Sequence, residues 1–312
     1  MSKVRKTIFR FAIVACLLGL GLILAGLASG GLQDLVRSSA ASTKMAKQEE
    51  TYDNIHSLDL ELNNRSVVIG ESPDDKVHLT YYQGDGKTSE KVTTKAENGS
   101  LYINESSFFI NINSGLRSLL SLINGDLERT QQITLSLPKG RNLEQVKASL
   151  ANGSLSINDL TIQKLKANLS NGSIELSHSQ IKSGSIESAN GSIELVQTSL
   201  TDTQISLSNG SITSDKLILK GNINMSSGNG SIDLHLTEET YKAISLDLQT
   251  DIGDIELPKD MQTSHDQEDF IGDRVIHTNE QAQAKLTART STGTTSEVST
   301  APSTISVIIL GS

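Results

Sequence analysis

The chain has 312 residues, no tryptophan, 3% aromatic residues and a net charge of -9. Residues 1–50 carry 7 basic and 3 acidic side chains, and the remainder carries 20 and 33, an acidic balance that argues against nucleic acid as a partner. The single cysteine, Cys16, lies in an apolar stretch, so the rest of the chain is built without disulfides.

Taken in order, residues 1–10 form a basic tail carrying Lys3, Arg5, Lys6 and Arg10. Phe11 to Ala28 follows without a charge and extends to Leu32, which is long enough to span a bilayer. The basic flank predicts a transmembrane helix over 11–32 with its N-terminus in the cytoplasm and everything after it outside. The alternative is a cleaved signal peptide with small residues at Gly26 and Ala28, although the apolar run exceeds the usual length of such a region. Residues 33–52 are polar and read as a stalk.

Strict alternation begins at Ile55, with Leu58, Leu60 and Leu62, then a polar turn from Asn63 to Ser66, then Val67 and Ile69. Period two is the mark of half-buried strands, and residues 53–104 read as a first β module. Gly84-Asp85-Gly86-Lys87-Thr88 resembles the end of a phosphate-binding loop. The glycine such a loop needs upstream is Tyr81 here, and a hairpin tip is the better reading. Residues 105–131 interrupt the pattern. Phe108, Phe109, Leu119 and Leu120 give this insertion an apolar character suited to capping a stack, with contact to a membrane or a partner as the alternatives.

Residues 132–297 hold the dominant feature. Asn-Gly-Ser begins at Asn152, Asn171, Asn190, Asn209 and Asn229, at spacings of 19, 19, 19 and 20. With the Asn as position zero, aliphatics fall at -6, -4, -2, +3, +5 and +10, as in Leu165, Ala167, Leu169, Ile174, Leu176 and Ile181. The turn residues are therefore Asn152, Gly153, Asn171, Gly172, Asn190, Gly191, Asn209, Gly210, Asn229 and Gly230, with Asn and Gly both suited to positive φ. The same register recovers Val92, Thr94, Ala96, Leu101 and Ile103 around Asn98-Gly99-Ser100, and Leu246, Leu248, Ile255 and Leu257 around Gly253. A last copy at Leu286 and Ala288 loses its aliphatics after Thr292, which predicts that the array frays there. Residues 298–312 form a tail with one further strand, Ile305-x-Val307-x-Ile309.

Two architectures suit this period, a meander of hairpins or an all-β solenoid, parallel β-helix-like, of about 19-residue coils. Constant spacing favours the solenoid, whose coils stack about 4.8 Å apart and place like residues in columns. No arrangement of residues in the chain forms a catalytic, cofactor-binding or metal-binding constellation. The solenoid register does stack Glu175, Glu194, Asp233 and Glu256 in one outward column at +4. Such a column could hold a cation or supply an acid/base pair, but a solvated face is the simpler account.

Ile133-x-Leu135-x-Leu137-Pro138-Lys139-Gly140, the strand-Gly-strand unit from Val146 to Ile157, and Ile255-Glu256-Leu257-Pro258 resemble the bacterial putative-adhesin β-strand-repeat family of unknown function, including LiaG-like, membrane-anchored proteins of Gram-positive bacteria. The resemblance spans about residues 53–297. It implies an extracytoplasmic β-solenoid anchored in the plasma membrane, with a binding or scaffolding role toward an envelope protein or polymer and a link to envelope stress. A surface adhesin and a polysaccharide-active β-helix enzyme are the alternative functions.

Overall fold

A computed structural model describes residues 45–84, 91–106, 131–253, 255–257, 264–265, 272–292 and 305–309. The expected span over 11–32, the tip at 85–88 and the Phe108, Phe109, Leu119 and Leu120 surface lie outside these residues. Among the described residues no helix is long and apolar enough to cross a membrane. The chain divides into two compact units, and the larger, Lys47–Gln83, Glu90–Ser107 and Glu128–Ser312, is the one described below.

Its elements are almost entirely strands. The first six are β1 (Met45–Tyr52), β2 (Ser57–Leu62), β3 (Ser66–Ser72), β4 (Val77–Gly84), β5 (Lys91–Glu97) and β6 (Ser100–Ser106). β1 thus begins inside the stretch read as a stalk. The repeat region supplies β7 (Gln132–Pro138), β8 (Asn142–Asn152), β9 (Leu155–Asn158), β10 (Thr161–Asn171), β11 (Ile174–Ser177), β12 (Gln180–Ile181), β13 (Gly184–Asn190), β14 (Ile193–Val196), β15 (Ser199–Thr201), β16 (Thr203–Asn209), β17 (Ile212–Asn229) and β18 (Ile232–Leu236). After a five-residue helix, α1 (Glu238–Lys242), come β19 (Ile244–Thr250), β20 (Ile255–Glu256), β21 (Ser264–His265), β22 (Asp273–His277), β23 (Ala284–Thr292) and β24 (Ile305–Ile309).

The pairing is that of a solenoid. β8, β10, β13, β16 and the end of β17 lie side by side and parallel, with Asn152, Asn171, Asn190, Asn209 and Asn229 in register. β9, β11, β14 and the start of β17 form a second parallel stack beyond the turn, with Leu155, Ile174, Ile193 and Ile212 in register. A meander would have paired neighbours antiparallel. The aliphatics at -6, -4, -2, +3, +5 and +10 are buried throughout the first two repeats, so both strand sets face one core. Full burial of each such side chain is worth about 1.5–3 kcal/mol.

Each coil turns a second corner at +7, which the aliphatic pattern does not reveal. Asp159, His178, Gln197 and Lys216 occupy it with φ of 59°, 50°, 47° and 51°. The next position, +8, is buried whether it is Leu160, Ser179, Thr198 or Leu217. The hydroxyls there are satisfied locally: Thr198 Oγ1 donates to Leu176 O (2.9 Å) and Val196 O (3.0 Å), and Ser179 Oγ donates to Ser177 O (2.8 Å). A buried hydroxyl with carbonyl partners escapes the desolvation cost that would otherwise exclude it.

At both ends the order of coils departs from the order of sequence. β2 seats between β6 and β8, and β3 between β7 and β9, all parallel. The last repeat copy is in place as far as Thr292, and the stretch after it, where the array is expected to fray, lies outside the described residues. β23 lies between β17 and β19, parallel to both, with Leu286 and Ala288 fully buried. The ladder then stops on antiparallel strands: β5 on β6 and β4 on β7 at one end, β22 on β19 at the other. Antiparallel neighbours end a parallel stack without leaving its apolar layer open. At the first end the Glu50 carboxylate accepts hydrogen bonds from the hydroxyls of Tyr52, Tyr81 (2.8 Å) and Thr94 (2.8 Å), tying β1, β4 and β5 together. Burial raises the Tyr52 hydroxyl to a pKa of about 12, with the Glu50 bond adding to it. For Glu50, burial pushes its pKa up, but the three donated hydrogen bonds outweigh that and hold it below the usual value.

Candidate functional site

The Asn-Gly-Ser edge is built from three columns. At position zero Asn152 Nδ2 donates to Asn64 Oδ1 (3.1 Å), and Asn171, Asn190, Asn209 and Asn229 continue the chain of amides, each donating to the Asn of the preceding coil at 2.7–3.1 Å. Asn64 joins the ladder although its turn lacks the Asn-Gly-Ser tripeptide. At +1 the Gly153, Gly172, Gly191 and Gly210 N–H groups each donate to the Asn carbonyl of the next coil. At +2 the Ser173 N–H donates to Ser154 Oγ (3.3 Å), and Ser192 Oγ to Ser173 Oγ (3.0 Å).

Positive φ is confined here to the glycine. Gly153, Gly172, Gly191, Gly210, Gly230 and Gly253 have φ of 127–146°, while the ladder asparagines stay outside the left-handed region. A Cβ on Gly172 would lie 2.0 Å from Gly153 O, and one on Gly191 2.1 Å from Gly172 O. The glycine is required by conformation and by the closeness of the next coil. The asparagine is there for its side-chain amide, which both donates and accepts along the stack.

Beside this edge, on the outward face of the sheet that contains β2, β8, β10, β13 and β16, runs a trough of about 520 Å³. The columns at -3 (Glu61, Ser149, Asn168, Glu187, Ser206) and -1 (Asn63, Ala151, Ser170, Ala189, Ser208) line it. Side chains at -1 are small, so the floor is low beside the amide ladder. Asn168 Oδ1 is enclosed and has no hydrogen-bond partner among the described residues. On the far side Lys147 reaches Asp59 Oδ2 (3.1 Å) and stands beside Lys166 in the -5 column.

One end of the trough is closed by a buried ion pair that patterning alone did not single out. Arg65 Nε donates to Glu105 Oε1 (2.8 Å), both side chains being at most 4% exposed. Glu105 Oε2 also accepts the Asn63 and Asn64 N–H groups (2.8 Å each), and the Arg65 guanidinium donates to Tyr82 O (3.0 Å). The carboxylate therefore satisfies the turn between β2 and β3 from the neighbouring coil. The available signal was alternation: Leu101-x-Ile103-x-Glu105 directs Glu105 inward. In the coil that holds Glu105, the chain leaves β6 at Ser106 and returns at Gln132, where its neighbour has a short turn.

The outward +4 column is only partly continuous. Glu175 pairs in register with Glu194, Glu194 with Thr213, and Thr213 with Asp233. Glu256 is not next to Asp233, because β24 runs antiparallel between β18 and β20 and places Ile308 between them. Among the described residues no group of three or more His, Cys, Asp or Glu side chains is placed to hold a metal ion. Burial raises the pKa of Asp233, partly offset by His235 nearby at 3.6 Å. His56 and His78 likewise stand beside single carboxylates, Glu144 (3.2 Å) and Asp74 (2.8 Å).

Crystal structures of proteins described as adhesins are among those that align with the chain. A putative cell adhesion protein from Clostridium sporogenes is 10% identical, with a TM-score of 0.37 over 80% of this chain and 96% of that one. A putative adhesin from Bacteroides fragilis is 12% identical, with a TM-score of 0.35 over 80% and 95%. A putative adhesin from Parabacteroides merdae is 10% identical, with a TM-score of 0.19 over 61% and 92%. No curated protein matches the chain. The family described as Toastrack DUF4097 matches residues 55–296, from β2 through β23, and the chain belongs to that family.

Proposed function

We propose that this chain is a membrane-anchored, extracytoplasmic binding and scaffolding protein of the cell envelope, and that its ligand is an extended, neutral polysaccharide lying in the trough along the stacking axis. The observation that carries this reading is the trough. It crosses five coils, its floor is small, and its walls offer hydroxyls, amides and the carboxylates of Glu61 and Glu187 at one rung per coil. Rungs about 4.8 Å apart suit a polymer whose units recur at a similar rise. The carboxylates and the net charge of -9 disfavour a polyanion. The uncharged run from Phe11 to Ala28 behind a basic flank supports the anchor and the outward orientation of the array.

The test is a titration of the full-length chain, in mild detergent, with neutral wall-type oligosaccharides. Ser170→Arg with Ala189→Arg fills the trough at two exposed positions and should abolish saturable binding while leaving the melting temperature unchanged. Equal binding by this variant rejects the trough as the seat. In cells, loss of the chain should alter tolerance to wall-active antibiotics and leave adherence intact, and the reverse result supports an adhesin.

A further inference from the structure

The same dipeptide, Asn-Gly, stands in two chemically different settings, and the difference identifies a modification site. In the coils the Gly153, Gly172, Gly191 and Gly210 N–H groups donate to the next coil, and the Asn side-chain amides before them are held in the ladder. Asn98-Gly99 is instead the exposed turn of the β5–β6 hairpin, with φ of 50° and 73°. It takes no part in the inter-coil amide ladder. The Gly99 carbonyl is pinned by the His56 and Ser57 N–H groups (2.8 and 3.2 Å), and the Asn98 side chain before it is exposed.

The imidazole of His56 fills the place where a Gly99 side chain would be: a Cβ there would lie 2.0 Å from Nε2. Its other nitrogen, Nδ1, is 3.2 Å from Glu144 Oε2, so the carboxylate aims Nε2 at the turn. At 39% and 70% exposure both side chains are open to water. A base against the glycine, an amide carbon one residue before it and accessible water are the parts needed for intramolecular deamidation.

We infer that Asn98-Gly99 is a site of spontaneous deamidation through a cyclic imide, with His56 as the assisting base and Glu144 as its positioning residue. The Gly99 nitrogen attacks Asn98 Cγ while His56 Nε2 takes its proton. The bond from Cγ to Nδ2 breaks, the proton passes to the leaving nitrogen, and ammonia departs. Water then opens the ring at either carbonyl, giving an aspartyl or an isoaspartyl linkage. The net reaction consumes one water, releases one ammonia and involves no oxidant. The product adds a negative charge to the end hairpin, and in the isoaspartyl form it lengthens the turn by one backbone carbon, loosening β5 while the coil ladder stays intact.

The full-length chain, aged at mildly alkaline pH and mapped by peptide mass spectrometry with isoaspartyl methyltransferase labelling, tests this. In native buffer Asn98 should convert about tenfold faster or more than Asn152, Asn171, Asn190 or Asn209, and in denaturant the difference should vanish. His56→Gln should slow conversion at Asn98 by about tenfold without altering the ladder positions. Glu144→Gln, which keeps the ring but not its aim, should slow it less. Native conversion no faster at Asn98 than in the ladder overturns the site, and a rate unmoved by both substitutions, in variants with wild-type β-sheet content, overturns the role of His56.

Discussion

Asn98-Gly99-Ser100 and Asn171-Gly172-Ser173 have the same three residues and opposite structures. The first has both Asn and Gly in the left-handed region and reverses the chain onto itself, the geometry that two-residue hairpins favour. The second has only its glycine there and sends the chain across to the other sheet of a coil. Short-range preference predicts the hairpin everywhere. The coil form wins where a neighbouring coil accepts the glycine N–H and the asparagine amide, and where the preceding strand can bury its inward face. Leu165, Ala167 and Leu169 do so, whereas the strand before Asn98 offers Val92, a half-exposed Thr94 and an exposed Ala96. The tripeptide permits both turns, and the neighbour that the flanking strand finds, a parallel coil or its own return strand, decides between them.

The comparison breaks most sharply at the glycine. Gly172→Ala places a Cβ against a backbone oxygen that cannot move aside, at a φ of 146°. Overpacking and strain together should cost about 4 kcal/mol. Gly99→Ala meets only the end of the His56 ring, which can swing out, and should cost about 1 kcal/mol. Urea denaturation of the two variants measures the gap, and equal losses would show that the coil turn tolerates the side chain. A second substitution tests how the hairpin end is tied to the coils. Glu105→Ala removes the carboxylate that pairs with Arg65 and accepts two turn N–H groups in a buried site, and should cost about 3 kcal/mol. A loss below about 1 kcal/mol, the range of exposed pairs, would mean that water replaces the carboxylate.

The smallest effect is one of pH. The Tyr52 hydroxyl has its pKa raised by burial from 10 to about 12, so the stability it contributes is complete below pH 10 and is lost as pH rises toward 12. The asparagine and serine ladders have no group that titrates in this window. Near-ultraviolet tyrosine signals should therefore change before the far-ultraviolet β-sheet signal in an alkaline titration. Simultaneous loss of both would show that the end and the coils open as one unit.

How far the sequence reaches follows from the same physics. The aliphatic columns were legible because burial and period are both written in residue type: from Val146 to Ile181 every aliphatic the register places inward is buried. The +8 column was not, since Ser179 and Thr198 look like surface residues until their carbonyl partners are seen. The +7 corner was hidden by four dissimilar residues, none of them glycine, in a left-handed conformation. Coil order at the ends was equally hidden, because a repeat makes each copy a good neighbour for every other. Period establishes what stacks, and only the connections establish on what. For the trough, register already placed Ala151, Ser170, Ala189 and Ser208 in one outward column, but not the low floor this makes beside the amide ladder.

The exchanged strands at the two ends give the array a fixed beginning and a fixed stop. The central coils pair residues 19 or 20 apart and can zip as the chain emerges, whereas β8 finds β2 across 88 residues and β19 waits for β23, which follows it in the chain. Contacts of the first kind form quickly and those of the second slowly. Closure at each end is thus a late event, like fastening a clasp after the zip has run. A copy added beyond either clasp would find no parallel edge to join. A copy inserted between Asn171 and Asn209 would find one on both faces, so lengthening such a molecule by duplication has to happen from the middle.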